Sequence, residues 1–219
     1  MYIRNKIDNN ASIGSATLIL FIASVLVVSV TASVLIQSSN NLEQQSLKTG
    51  KDTKEEVACG VGVYGVIGYC KSNTTITKMV LKLSPRPGTN GIDLSTTHVK
   101  ISESLNSYLL DYGGNLTQLE DIGGNIFQSS PVWNNSTASK YNIIVVQDED
   151  SSCIENDPII NTGDEVLLTL AINTIFNGTD GFSTRTDVFG SVVLEQGAKG
   201  VFRFRTPLTY KSTIINLLP

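Results

Sequence analysis

The chain has 219 residues, a formal net charge of −4 and only 16% charged residues. That length allows one ordinary domain plus a separate N-terminal segment. The acidic balance excludes a nucleic-acid partner, which needs a basic face. From residue 43 onward the chain is rich in Gly, Ser, Thr, Asn and β-branched residues, the composition of an exported all-β domain.

Residues 1–11 form a short polar head carrying Arg4, Lys6 and Asp8. No charged side chain occurs from Asn9 to Leu42, and Leu18 to Ile36 is almost wholly apolar. Such a surface must enter a bilayer, pass through a secretion pathway or pack against copies of itself. The head has the basic character of a secretory signal, but an ordinary signal peptide carries its small-residue cleavage site after the apolar run. Here that run passes unbroken into a polar helical pattern, Gln37 to Glu56. No Pro precedes Pro85 and no Gly lies between Gly14 and Gly50. The pattern predicts a helix from about Ile13 to about Lys48, roughly 50 Å long.

The first part of this helix is apolar all round, which requires full burial in protein or lipid. Thr17 to Ile36 matches a hydrocarbon core of ~30 Å. Small residues recur at Ala16, Ala23, Ser24, Ser29, Ala32 and Ser33, and small side chains let helices approach closely. One segment can therefore serve first as an anchor and then in a helical bundle; the plainer reading is a single-pass anchor.

Lys51 to Glu56 is charged and Cys59 to Cys70 is glycine-rich, so a domain boundary is expected near residue 57. The organisation is a leader over 1–11, an apolar helix over 12–56 and a β domain over 57–219. Met79, Leu81 and Leu83 alternate within residues 78–83, predicting a strand with those three on one face. The turn residues from Ser84 to Gly88 end it. Short strands are predicted over 98–101 and 107–111, with turns at Gly113-Gly114 and Gly123-Gly124. Further strands are predicted over 141–147, 165–173 and 187–195. Residues 201–206 alternate, with Phe202 and Phe204 on one face and Arg203 and Arg205 on the other. The fold class is α+β, a long N-terminal helix followed by an Ig-like β-sandwich of seven or eight short strands.

Three cysteines, Cys59, Cys70 and Cys153, cannot all pair internally. Cys59 and Cys70 are near enough in sequence to close a small loop in an oxidising compartment, a bridge worth on the order of 2–3 kcal/mol. Buried thiols are the alternative. Five sequons follow the apolar run, at Asn73, Asn115, Asn134, Asn135 and Asn177, and suggest N-glycans on surface loops. Zinc is not expected, since no CxxC occurs and His98 is the sole histidine, read as solvent-facing. Asp148, Glu149 and Asp150 with Glu155 and Asp157 offer oxygen ligands for a structural Ca²⁺. They lack EF-hand spacing, so a solvated acidic loop is the favoured reading and no cofactor is required. No GxSxG, HExxH or phosphate-binding loop is present, and no enzyme activity is expected.

Taken together, Gly14 to Ala23 (GSATLILFIA), the following SVLVVSVTASVLI, and Asn40 to Val61 (NNLEQQSLKTGKDTKEEVACGV) resemble the archaeal flagellins, filament subunits of the type IV pilin-like superfamily. DEVLLTLAI at Asp164 to Ile172 and TRTDVFGSVVLEQGAKGVFRFRTP at Thr184 to Pro207 resemble the same family. The likeness is weaker from about Asn90 to Pro158.

The resemblance implies a precursor held in the cytoplasmic membrane. A prepilin-like signal peptidase then cuts before the helix. The product is a homopolymer or mixed filament outside the cell, the archaellum, turned by a membrane motor and assembly platform. Aligning Gly14, Thr17, Leu18, Phe21, Ile22 and Ala23 with the family places the cut between Ala11 and Ser12. Asn9, Asn10 and Ala11 depart from the basic residues and Gly usual before it, so a cut between Asn10 and Ala11 remains the alternative. Adhesive type IV pilins carry Glu at the fifth mature position, where this chain has Ala16. With no charge in the helix core, packing drives assembly, through Leu18, Leu20, Phe21, Ile22, Leu26, Val27, Val30 and Leu35. Large apolar side chains contribute ~1.5–3 kcal/mol each when buried from water, although lipid already supplies much of that. The competing readings are an adhesive pilin-like filament subunit and a membrane-anchored surface binding module that retains residues 1–11.

Overall fold

A computed structural model of the chain describes residues 3–71, 74–104, 106–127, 131–176 and 180–218, residues 3–12, 55 and 58 by their backbone alone. Two compact units are distinguished, Met1–Asp52 and Thr53–Pro219.

Helix α1 spans Ile3–Ala58, 56 residues. It is longer at both ends than the stretch from Ile13 to Lys48 expected from sequence. No proline interrupts it, and Gly14 and Gly50 each cost only about 1 kcal/mol in a helix interior. Neither glycine is enough to end a helix that good helix formers continue on both sides. The helix stops just before Cys59 and Gly60, where the chain turns into the first strand.

The second unit contains twelve strands, β1 (Val61–Tyr69), β2 (Lys78–Pro85), β3 (Ile92–Asp93), β4 (His98–Glu103), β5 (Asn106–Gln118), β6 (Lys140–Gln147), β7 (Cys153–Ile154), β8 (Asp157–Ile160), β9 (Glu165–Leu170), β10 (Asp187–Val193), β11 (Gly200–Arg205) and β12 (Ile214–Leu218). Single helical turns occur at α2 (Pro131–Asn134) and α3 (Ile172–Ile175). Nine strands form one ladder in the order β11-β10-β4-β5-β6-β9-β2-β1-β12, and β3-β8-β7 form a small second sheet.

The ladder folds over on itself. The first residues of β5 pair antiparallel with β4, and Asp111 onward pairs parallel with β6. Strand β5 thus passes from one layer to the other, the device by which strands make corners between packed sheets. The bend falls where the register shifts between Tyr112 and Leu116. Gly114 lies inside that shift at φ +78°, a conformation an L side chain rarely adopts. The Gly113-Gly114 pair expected to be a turn is therefore a bulge within a long strand. At the far ends, Gly60 bridges Ala198, and a methyl group on Gly200 would lie 3.1 Å from the side chains of Val61 and Val63. Strands β11 and β1 thus face each other across one interior.

That interior holds Met79, Leu81 and Leu83 of β2, as their alternation predicts, with Ile101, Tyr141, Ile143, Leu168 and Phe202. Strands β2, β6 and β9 are buried on their other face too. Val80, Ile144 and Leu167 lie under Phe127, Val132 and Trp133. Burial on both faces explains why β6 and β9 read as continuous apolar runs rather than alternating ones. Trp133 Nε1 donates to the Ile126 carbonyl at 2.8 Å. Lys78 Nζ lies 4.6 Å from the Trp133 ring centre and donates to the Phe127 carbonyl. Burial lowers the pKa of Lys78, with nearby Lys71 adding to the effect.

The sequence pattern anticipated β2, β4, β5, β6, β9, β10 and β11 and missed β1, β3, β7, β8 and β12. Three of these are two to four residues long, too short to show a period. β1 is hidden by its glycines. Residues 171–173, expected to continue β9, turn into α3 instead.

Candidate functional site: an exposed apolar helix and the loops of the β domain

Leu18, Leu20, Phe21, Ile22, Leu26, Val27, Val30 and Leu35 are between 57% and 75% exposed in the single chain. The helix is long and apolar enough to cross a membrane. Four of its hydroxyls are paired within the helix. Thr17, Ser24, Ser29 and Thr31 donate their hydroxyls to the carbonyls of Gly14, Phe21, Leu26 and Val28 at 2.7–2.9 Å. Burying an unpaired hydroxyl is costly. These four are already paired and can enter lipid or a protein bundle without finding a partner. Ser24, Val25, Val28, Ser29 and Ala32 line a shallow hollow on the helix surface, the kind of indentation that lets a second helix approach. Ala11 and Ser12 lie within the helical backbone, and their side chains are outside the described residues.

The acidic loop is tied together by its own backbone. Asp148 accepts from the amides of Ser152 and Cys153, and Asp150 accepts from the amide of Ser152. Asp164, buried at 1% exposure, accepts from the amides of Asn161 at 2.8 Å and Glu149 at 3.4 Å. Hydrogen bonds from Ser152, chiefly, hold Asp150 below its usual carboxylate range. One carboxylate oxygen from each of Asp148, Asp150 and Asp164 falls within 4.8 Å of the others. This all-oxygen donor set fits a hard cation such as Ca²⁺. Glu155 and Asp157, expected to join it, instead flank the β7–β8 turn. Asp164 was not anticipated, because only the approach of the loop before β9 to the loop after β6 brings it there.

The expected Cys59–Cys70 bridge is corrected. The two residues sit at opposite ends of β1, roughly 30 Å or more apart at ~3.3 Å per residue, whereas bridged Cα atoms lie within about 7 Å. Cys59, Cys70 and Cys153 are free thiols. Burial, with the charges of Asp148 and Asp164, pushes the Cys153 thiol up to about 12. His98 is half exposed, with Nδ1 2.6 Å from Asp111 Oδ1.

Among the sequons, Asn73 and Asn177 lie outside the described residues. Asn134 and Asn135 are exposed at and just after α2, and Asn135 Nδ2 donates to Asn115 Oδ1 at 3.0 Å. Asn115 is half-buried, and its Nδ2 donates to the Gly113 carbonyl and to Asn142 Oδ1, so the atom a glycan would occupy is already engaged.

The family described as archaeal-type flagellin matches residues 11–204. Flagellin B2 of Methanocaldococcus jannaschii is 38% identical over 202 residues, covering 92% of this chain and 91% of that protein. The chain belongs to the archaeal-type flagellins. It is a structural subunit of the archaellum filament used for swimming. Flagellin B3 of the same organism is 34% identical over 220 residues, covering 99% of this flagellin and 98% of the relative. The crystal structure of archaeal flagellin FlaB1 from M. jannaschii superposes with a TM-score of 0.66 at 31% identity, over 73% of this chain and 97% of that one. The archaeal flagellum of Methanospirillum hungatei strain JF1 shares the fold, with a TM-score of 0.62 at 14% identity over 92% and 98% of the two chains.

Proposed function

We propose that this flagellin is made as a membrane-held precursor, is cut between Ala11 and Ser12 by a prepilin-like signal peptidase, and polymerises outside the cell through its apolar helix. The observation that carries this reading is the wholly exposed apolar run from Leu18 to Ile36, in which Ser24, Ser29 and Thr31 bond their hydroxyls within the helix. Such a surface has no stable existence in water, and identical copies supply the matching partner. In this arrangement the helices pack together, the β domains face outward and a membrane motor and assembly platform turn the polymer. Exposed Asn134 is the better placed of the described sequons for an N-glycan, whereas the side-chain amides of Asn115 and Asn135 already donate hydrogen bonds. The test is intact-mass and N-terminal peptide analysis of filaments sheared from cells. A chain beginning at Ser12 supports the reading. A chain beginning at Met1 and confined to membranes refutes it in favour of an anchored surface domain.

The carboxylates of Asp148, Asp150 and Asp164 suit Ca²⁺ as a structural ion. In that case millimolar Ca²⁺ raises the melting temperature of the wild type and not of Asp164→Asn. Identical melting of the wild type in Ca²⁺ and in chelator refutes it.

A further inference from the structure

We infer that the outer face of β4, β10 and β11 is a socket for the β7–β8 hairpin of a second copy of this chain, so that β domains of successive subunits interlock head to tail. The inference rests on the filament reading above and adds a second, polar contact to the helix packing.

The socket follows from strand register. On its outer face Phe189 stands between Arg203 and Ser102, and Ser191 stands between Val201 and Lys100. The small serines leave a hollow of about 500 Å³ beside the larger side chains. Phe189 and Val201 are 46% and 62% exposed and supply its apolar floor. Lys100, Lys199 and Arg203 stand around it. Among the described residues none of these three cations is ion-paired, whereas neighbouring Arg205 is matched with Asp187 at 3.8 Å. An exposed aromatic floor ringed by unmatched cations, on a chain whose net charge is −4, calls for an acidic partner with an apolar centre.

The chain carries such a partner on another surface. The β7–β8 hairpin turns at Glu155 and Asn156, and Ile154 at its tip is 55% exposed. Glu155 and Asp157 are exposed on either side of it. The tip is held in place, with Tyr112 Oη donating to the Glu155 carbonyl at 2.9 Å and Ser152 Oγ to the Ile159 carbonyl at 3.0 Å. A preordered tip loses little conformational freedom on docking. Ile154 matches the floor, and Glu155 and Asp157 match the cations. Socket and hairpin are different surfaces of one chain, so the contact is heterologous and propagates along an open array. A two-fold pairing of sockets would set cations against cations.

The test compares full-length subunits carrying Lys100→Glu with Arg203→Glu, subunits carrying Glu155→Lys with Asp157→Lys, and subunits carrying all four changes. The readout is the temperature at which sheared filaments depolymerise, followed by light scattering. Each pair is expected to lower it by several degrees, and the four together to recover at least half of that loss. In ~1 M salt, where the screening length is ~3 Å, the differences should shrink. Melting of detergent-dispersed subunits is expected to be unchanged, which separates docking from folding. Independently, Ile154→Cys and Val201→Cys in one chain should give oxidised ladders from filaments and not from dispersed subunits, with neither single variant doing so. Filaments of unchanged stability and no ladder overturn the socket. Altered binding to an acidic polysaccharide with unchanged filaments also overturns it, by assigning the face to a glycan. Wild-type filaments from the same preparation establish the filament reading whatever the variants do.

Discussion

Replacing Ser29 by glutamate tests whether the apolar helix is buried in the assembled polymer. Ser29 lies within the apolar run, eleven residues after Leu18 and seven before Ile36, so roughly 16 Å and 10 Å of helix separate it from the ends of that run. A carboxylate there is too far from either end to reach water easily. On insertion scales a charge at mid-membrane costs ~2.5–3.5 kcal/mol, and an unpaired charge buried in protein costs ~3–5 kcal/mol. A loss of about 3 kcal/mol corresponds to roughly a hundredfold change in an equilibrium constant. Filament yield in sheared preparations, counted by electron microscopy, should fall by at least tenfold. Ser29→Ala is the control. The hydroxyl it removes bonds only the Leu26 carbonyl of its own helix, so yield should stay within twofold. Normal filaments from the glutamate variant at neutral pH would show that position 29 faces water in the polymer, and the packing argument would fail.

Other perturbations address the β domain. A methyl group at position 190 would lie 2.4 Å from the Lys100 carbonyl oxygen and 2.4 Å from Phe202 Cζ. Gly190→Ala should therefore cost about 1–3 kcal/mol, read as a lowered melting temperature with unchanged helix content; an unshifted melt would contradict the close approach of β10 to β4. The native protein should show the same electrophoretic mobility with and without reductant, and buried Cys153 should label with iodoacetamide at pH 8 far more slowly than a solvent-exposed thiol. Rapid labelling would mean the β7 region opens. Burial raises the Glu103 carboxyl above 4.5, so the folded state holds this proton more tightly than the unfolded chain. That contribution is fully present below about pH 4.5 and is lost as pH rises through the raised value. Glu103→Gln should then melt slightly higher than the wild type at pH 7 and equally at pH 4. A constant difference across that range would assign the effect to packing instead.

The apolar run from Leu18 to Ile36 was legible because nothing in it alternates or carries charge, and a segment of that kind has few destinations. Met79, Leu81 and Leu83, and the Phe202/Arg203/Phe204/Arg205 alternation, were legible because one period fixed both element and face. What escaped depends on residues far apart in sequence. Asp164 meets Asp148 only because the loop before β9 lies against the loop after β6. The Cys59–Cys70 spacing looked like a small loop because sequence distance says nothing about extension, and a strand between the two holds them apart. Gly113-Gly114 carries the turn signal, yet Asp111 and its followers find a second partner in β6, and tertiary pairing overrode the local preference.

The internally bonded hydroxyls of α1 bear on how a subunit leaves the bilayer. Thr17, Ser24, Ser29 and Thr31 hold the same hydrogen bonds whatever surrounds the helix, so trading lipid neighbours for protein neighbours breaks no polar contact. The barrier to lengthwise withdrawal is then set by charged groups that must be dragged through hydrocarbon. On one side of the apolar run those are Arg4, Lys6 and Asp8, all within the head ahead of the proposed cut. Proteolysis at the proposed cut would act as a release catch: it exchanges those three side-chain charges for the single α-amino charge of a new terminus, ahead of a run with no charged side chain from Ser12 to Leu42.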